Sequence, residues 1–134
     1  MNEFLLEYLL VPEWPAPATV RAVSTTRRGG DSLPPYDGFN LAGHVGDDPV
    51  RVAGNRRQLA AVLGLPIEPA WLEQVHGIHA VAAETVSALV VADAAWTRKP
   101  SRPCVVMTAD CLPVLLCDRA GTVVAAAHAG WRGL

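Results

Sequence analysis

The sequence predicts an α+β fold built on a mostly antiparallel sheet. Three observations carry that expectation. Asp47-Asp48-Pro49 opens a stretch with helical spacing, several short β-branched or apolar runs lie on either side of it, and two apolar runs near the end flank Asp118-Arg119-Ala120-Gly121. At 134 residues the chain suits one domain, 1–134, and is short for two. A hydrophobic content of 51% with 18% charged residues excludes a disordered chain. With 11 Lys+Arg against 13 Asp+Glu the formal net charge is -2, which argues against nucleic-acid or anionic-membrane partners, since both need clustered positive charge. Glu84, Asp93, Asp110 and Asp118 interrupt the apolar stretches, so none is long enough to span a bilayer. The acidic start lacks the basic region of a secretory signal, and three cysteines without a Cys-x-x-Cys pair make no disulfide framework. A reducing, cytoplasmic setting is the expectation.

Taken in order, Phe4 to Val11 is mostly apolar and is followed by Pro12, Pro15 and Pro17. Thr19 to Thr25 alternates and is β-branched enough to predict a strand. Arg27-Arg28-Gly29-Gly30-Asp31-Ser32 reads as a loop that Pro34-Pro35 extends, and residues 36–46, with three glycines, continue it. At Asp47-Asp48-Pro49 an Asp can cap free amides, and Pro tolerates the first helical position. Val52, Leu59, Val62 and Leu63 then share one face, and Gly64 with Pro66 ends the helix. Ala70 to His76, Ile78 to Ala83, Leu89 to Thr97 and Cys104 to Thr108 each predict a strand, with Gly77 a kink between the first two. Leu112 to Cys117 and Thr122 to His128 predict a hairpin.

The soft ligands and nucleophiles are Cys104, Cys111, Cys117, His44, His76, His79 and His128. If Cys117 faces Thr122 across the turn, Cys111 stands directly opposite His128 on one sheet face. Opposed Cβ atoms lie roughly 4.5–5.5 Å apart, which lets a thiolate and an imidazole share one zinc ion. The same pair can be a nucleophile and its base. Asp110 could orient an imidazole or position a substrate group. Cys104 and Cys117, inside or closing apolar runs, read as core cysteines. His44 and His79 read as surface histidines, and taken alone so does His76. Arg27 and Arg28 with their glycines could hold a phosphate or carboxylate, and a solvated turn explains them equally well.

Gln74-Val75-His76-Gly77, Thr108-Ala109-Asp110-Cys111-Leu112-Pro113-Val114 and His128-Ala129-Gly130-Trp131-Arg132-Gly133 resemble the three signature blocks of the YfiH-like laccase-domain family. Thr25 to Gly30, Asn40-Leu41, His44 to Asp48, Asn55-Arg56 and Ala92-Asp93-Ala94 support the resemblance in family order. Members are described as polyphenol oxidases and as purine nucleoside phosphorylases. The resemblance implies a zinc site of His76, Cys111 and His128, with copper as the alternative metal. Beside it, Cys111, His128 and Asp110 are the candidate catalytic residues, and Arg27, as a phosphate contact, and Asn40 are the candidate substrate contacts. The implied substrates are phosphate and adenosine, inosine, guanosine or methylthioadenosine, with adenosine deamination alongside and a link to peptidoglycan-precursor editing. The implied fold is a layered α/β sandwich with a mixed, mostly antiparallel sheet, as in the cytotoxic necrotizing factor deamidases.

Family members run considerably past the last block, so an incomplete C-terminal sheet and self-association through exposed apolar strand edges are expected. A metal-free cysteine hydrolase using Cys111 with His128 is the first rival reading. Copper-based phenol oxidation ranks below it, because few His and one relevant Cys do not supply several coppers. A fragment that only binds metal or a partner is the non-catalytic option.

Overall fold

A computed structural model describes residues 6–132. The chain forms two compact units, one from residues up to Glu13 with Ala22–Pro66, the other from Trp14–Arg21 with Ile67 onward. The start of the Phe4–Val11 run and the last two residues lie outside the described residues.

Among the described residues, the helix α1 (Pro49–Leu63) organises the first unit. Its ends follow the predicted chemistry: Asp48 Oδ1 accepts the Val50 amide at 2.9 Å, Pro49 occupies the first turn, and Gly64 closes the helix in the left-handed region at φ 62. Val52 and Leu59 are buried as expected, and between them on the same stripe lies Asn55, fully buried. Its carboxamide organises the preceding loop, where Nδ2 faces Asn40 O at 2.8 Å, Ser32 Oγ at 3.0 Å and Gly38 O at 3.4 Å, and Oδ1 accepts the Asp31 amide at 2.9 Å. Gly30, at φ 71, lies so close that a Cβ there would stand 2.7 Å from Asn55 Oδ1. The strand expected over Thr19 to Thr25 is absent, apart from one bridge between Leu10 and Ser24. Val20 N donates to Pro17 O at 2.9 Å, so a proline-led turn bends the chain where the strand would begin.

The second unit holds the sheets. β1 (Leu72–Glu73) pairs in parallel with β3 (Val90–Val91), and β2 (Ala80–Ala82) pairs in parallel with β4 (Ala94–Thr97). β4 continues antiparallel to β6 (Val124–Ala129), which is antiparallel to β5 (Leu112–Cys117), giving the order β2-β4-β6-β5. The α+β class and mixed sheets agree with expectation, and the antiparallel ladders are the longer ones. The run from Leu89 to Thr97 is not one strand; it breaks at Ala92-Asp93, opposite the break between β1 and β2. Segment 104–108 forms no ladder either. Gln74 takes the place of a neighbouring strand there, its Nε2 donating to Met107 O and its Oε1 accepting Met107 N, both at 2.7 Å.

Leu72, Ala83, Ala92 and Ala95 form the core of this unit, flanked by Val81, Val90 and Val106. Alanine is a poor strand former, so β4 and β6 depend on packing more than on propensity. Leu72, 2% exposed, is the largest hydrophobic side chain in that core. Leu72→Ala is expected to lower the unfolding free energy by about 2–5 kcal/mol, read from the urea midpoint at unchanged slope. A change within experimental error would remove Leu72 from the core.

Candidate metal centre

The hairpin register differs from the expected one. β5 and β6 pair Cys117 with Val124 and Pro113 with His128, so Cys111 lies one position before the ladder, diagonal to His128. Asp118 causes the shift. Its carboxylate accepts the Thr122 amide at 2.6 Å and the Val123 amide at 3.1 Å, Thr122 Oγ1 donates to it as well, and Asp118 N closes onto Val123 O at 3.2 Å. The loop is therefore two residues longer than the four-residue turn. Because side chains alternate with period two, a two-residue shift keeps Cys111 and His128 on one face.

His76 reaches the same place from the break between β1 and β2. It sits at φ 61, a left-handed conformation that costs a non-glycine residue free energy. The turn is held by Asp93, 3% exposed, whose carboxylate accepts the amides of Val75 at 3.1 Å, His76 at 2.9 Å and Gly77 at 2.9 Å. Asp93 also binds the buried His128, with Oδ2 2.7 Å from Nδ1 and its carbonyl accepting the His128 amide at 2.7 Å. Burial pushes the Asp93 carboxyl up, but the His128 bond and the three amides outweigh it and hold the group below the usual carboxylate value.

The outcome is a cluster of His76, Cys111 and His128, one donor atom from each, all within 4.8 Å of one another. Cys111 Sγ lies 3.6 Å from His76 Nε2, and the two imidazoles meet edge to face with centroids 4.8 Å apart. Gly130 leaves room for this, since a Cβ there would stand 3.0 Å from His76 Cδ2. One thiol and two imidazoles fit zinc, and a three-ligand set leaves a coordination position for substrate.

Asp110 is exposed and outside the cluster. Arg27 belongs to the first unit, where its exposed guanidinium faces Asp37, 3.4 Å from the carbonyl and 4.0 Å from the carboxylate. It borders an open depression of about 420 Å3 shared with Tyr8, Arg28 and Gly38. Asn40 is occupied within its own loop, bonding Ala42 through both carboxamide atoms and Asp47 Oδ2 at 3.1 Å. His44 and His79 are exposed and outside the cluster. Sequence reasoning passed over Asp93 as a site residue, although an acid inside an apolar strand-like run is itself a signal.

Cys104 behaves as a core thiol: burial, and then Glu84 nearby, push it up to about 11, with Arg102 opposing. In a brief iodoacetamide treatment of the native protein at neutral pH, Cys104 is expected to label last of the three cysteines by mass spectrometry. Labelling of Cys104 ahead of Cys111 would refute that ranking.

The fold and donor set together define a candidate metalloprotein with a His–Cys–His centre on an α+β scaffold. The chain belongs to the family described as multi-copper polyphenol oxidoreductase laccase, whose profile residues 21–134 match. YfiH-named relatives agree with the resemblance read from the three motif blocks. Purine nucleoside phosphorylase PA4543 of Pseudomonas aeruginosa is 57% identical over 125 residues, covering 93% of this chain and 50% of that protein. Purine nucleoside phosphorylase YfiH of Escherichia coli K12 is 56% identical over 128 residues, covering 94% and 52%. Among solved structures, Neisseria meningitidis protein NMB0706 superposes with a TM-score of 0.89 at 50% identity, over 94% of this chain and 52% of that one. The chain thus spans about half the length of the relatives it matches.

Proposed function

We propose that the chain carries the metal-binding part of a zinc-dependent purine nucleoside phosphorylase, cytoplasmic and acting on adenosine, inosine, guanosine and methylthioadenosine. Adenosine deamination is a further activity of the same centre, and the layered sandwich of the cytotoxic necrotizing factor deamidases is the proposed wider fold. The convergence of His76, Cys111 and His128 from three separate segments is the observation that carries this reading. The relatives named for phosphorolysis supply the substrate class. His76, Cys111 and His128 would hold zinc, which supplies Lewis-acid polarisation of a substrate oxygen when bound.

In phosphorolysis a phosphate oxygen bonds to the ribose anomeric carbon as the bond to the purine nitrogen breaks. The electron pair stays on that nitrogen, which takes up the proton that hydrogen phosphate gives up, yielding ribose 1-phosphate and the neutral free base. Arg27 is the proposed phosphate contact, offering several donors in a planar fork. Asp110 is proposed to orient the nucleoside beside Cys111. Asn40 contributes by shaping its loop, since its carboxamide is already engaged. Produced from its complete coding region, the protein is expected to release ribose 1-phosphate from inosine in phosphate buffer. Equal release by a Cys111→Ala form would overturn the reading.

The 3.6 Å approach of Cys111 Sγ to His76 Nε2 favours one second reading, a metal-free cysteine hydrolase. Its base would be His76 rather than the His128 expected from the hairpin. Elemental analysis separates the two: stoichiometric zinc lost on His76→Ala supports the phosphorylase, and zinc-free protein alkylated at Cys111 supports the hydrolase. Copper chemistry ranks third, because the donors found among the described residues form one three-ligand group.

A further inference from the structure

Asp93 holds four hydrogen bonds on one buried carboxylate, and their destinations are unequal in meaning. Three go to consecutive amides, Val75, His76 and Gly77, and the fourth to the ring of His128. Capping a turn explains the first three. It does not explain why the same group grips the imidazole of a residue that pairs two strands away in sequence order, nor why the turn it caps carries the cluster's other histidine.

We propose that Asp93 is the positioning residue that readies both histidines of the cluster for a divalent cation. It fixes one tautomer of His128 and holds the backbone turn that delivers His76. The proposal rests on the metal-centre reading above. An ionised carboxylate only accepts, so the bond at His128 Nδ1 places a ring hydrogen there, and in the neutral ring that leaves Nε2 with a bare lone pair. That is the form in which an imidazole ligates a metal, and carboxylates commonly enforce it from outside the coordination sphere. On the other side, Oδ2 accepts the His76 amide at 2.9 Å while Oδ1 accepts those of Val75 and Gly77, which stabilises His76 at φ 61. Released from those bonds, His76 would relax toward ordinary backbone angles and its ring would leave the Gly130 recess.

Asp93→Asn separates positioning from mere space-filling. Asparagine has the same shape but one acceptor oxygen, so it cannot serve both pairs of donors. If its oxygen keeps Val75 and Gly77, its NH2 faces the His76 amide and His128 Nδ1. His128 must then accept at Nδ1 and carry its hydrogen on Nε2, the atom a metal needs.

Two measurements on the full chain decide the matter. Nitrogen-15 NMR of the metal-free parent, above the histidine titration range, is expected to show His128 as the Nδ1–H tautomer. Zinc titration against a chelator is expected to show Asp93→Asn folded by circular dichroism and binding roughly 10–100-fold more weakly than the parent. An Nε2–H tautomer in the parent, or a folded variant with undiminished zinc affinity, would overturn the proposal. Should the variant fail to fold, the parent's tautomer decides alone. A parent that takes up no zinc would sink the metal-centre reading instead, and the tautomer would still report on Asp93.

Discussion

Cys111→Ala is expected to abolish tight zinc uptake while leaving the fold intact. Cys111 is half-buried, lies just outside the β5–β6 ladder, and supplies the only thiol of the cluster. Loss of an outer partner of a metal ligand costs roughly 10–100-fold in affinity, so loss of the ligand itself is expected to exceed about 100-fold. Cobalt gives an independent reading. The parent should develop a thiolate-to-metal charge-transfer band on titration, and the variant should not. Persistence of that band in Cys111→Ala would show that the sulfur belongs to Cys104 or Cys117 and would dismantle the site.

Asn55→Ala is expected to produce the largest loss of stability among single polar substitutions in the first unit. Truncation leaves the Asp31 amide and the oxygens of Ser32, Gly38 and Asn40 without this partner. Gly38 O keeps the Ser32 amide and Ser32 Oγ keeps Asp47, so the Asp31 amide and Asn40 O lose most. At about 1–3 kcal/mol for each group left unsatisfied, the expected total is about 2–5 kcal/mol. Asn55→Asp does not rescue it, because a carboxylate can still accept from Asp31 but meets three oxygens where the amide nitrogen stood. Urea unfolding measures both. A loss below about 1 kcal/mol, the worth of one ordinary hydrogen bond, would show that the loop is held by other means.

Local chemistry was legible in the residues wherever it decided structure alone. The Asp48 cap, Pro49 and the Gly64 terminus placed α1, and the apolar run Leu112 to Cys117 placed β5 residue for residue. The shared face of Cys111 and His128 was legible too, because only the parity of the register matters for it. The register itself was not, since it depends on how the Asp118 side chain folds Thr122 and Val123 into the loop. Likewise Leu89 to Thr97 looks like one strand because hydrophobicity cannot reveal that Asp93 turns inward and splits it between two sheets. His76, Cys111 and His128 are legible in the motif blocks, whereas the role of Asp93 behind two of them is not. An acid inside an apolar run sets Asp93 apart, but its four bonds come from distant segments, and no local pattern says which groups it will meet.

Gln74 has a consequence for how the protein breathes. Segment 104–108 is held at Met107 by a single side chain in place of a row of interstrand bonds. One rotamer change would release that amide to solvent with no ladder broken, so hydrogen exchange at Met107 should follow a sub-global opening far below the global unfolding free energy. The stretch leading into Cys111 therefore has a local latch, and the sheet behind it can stay closed while that latch opens.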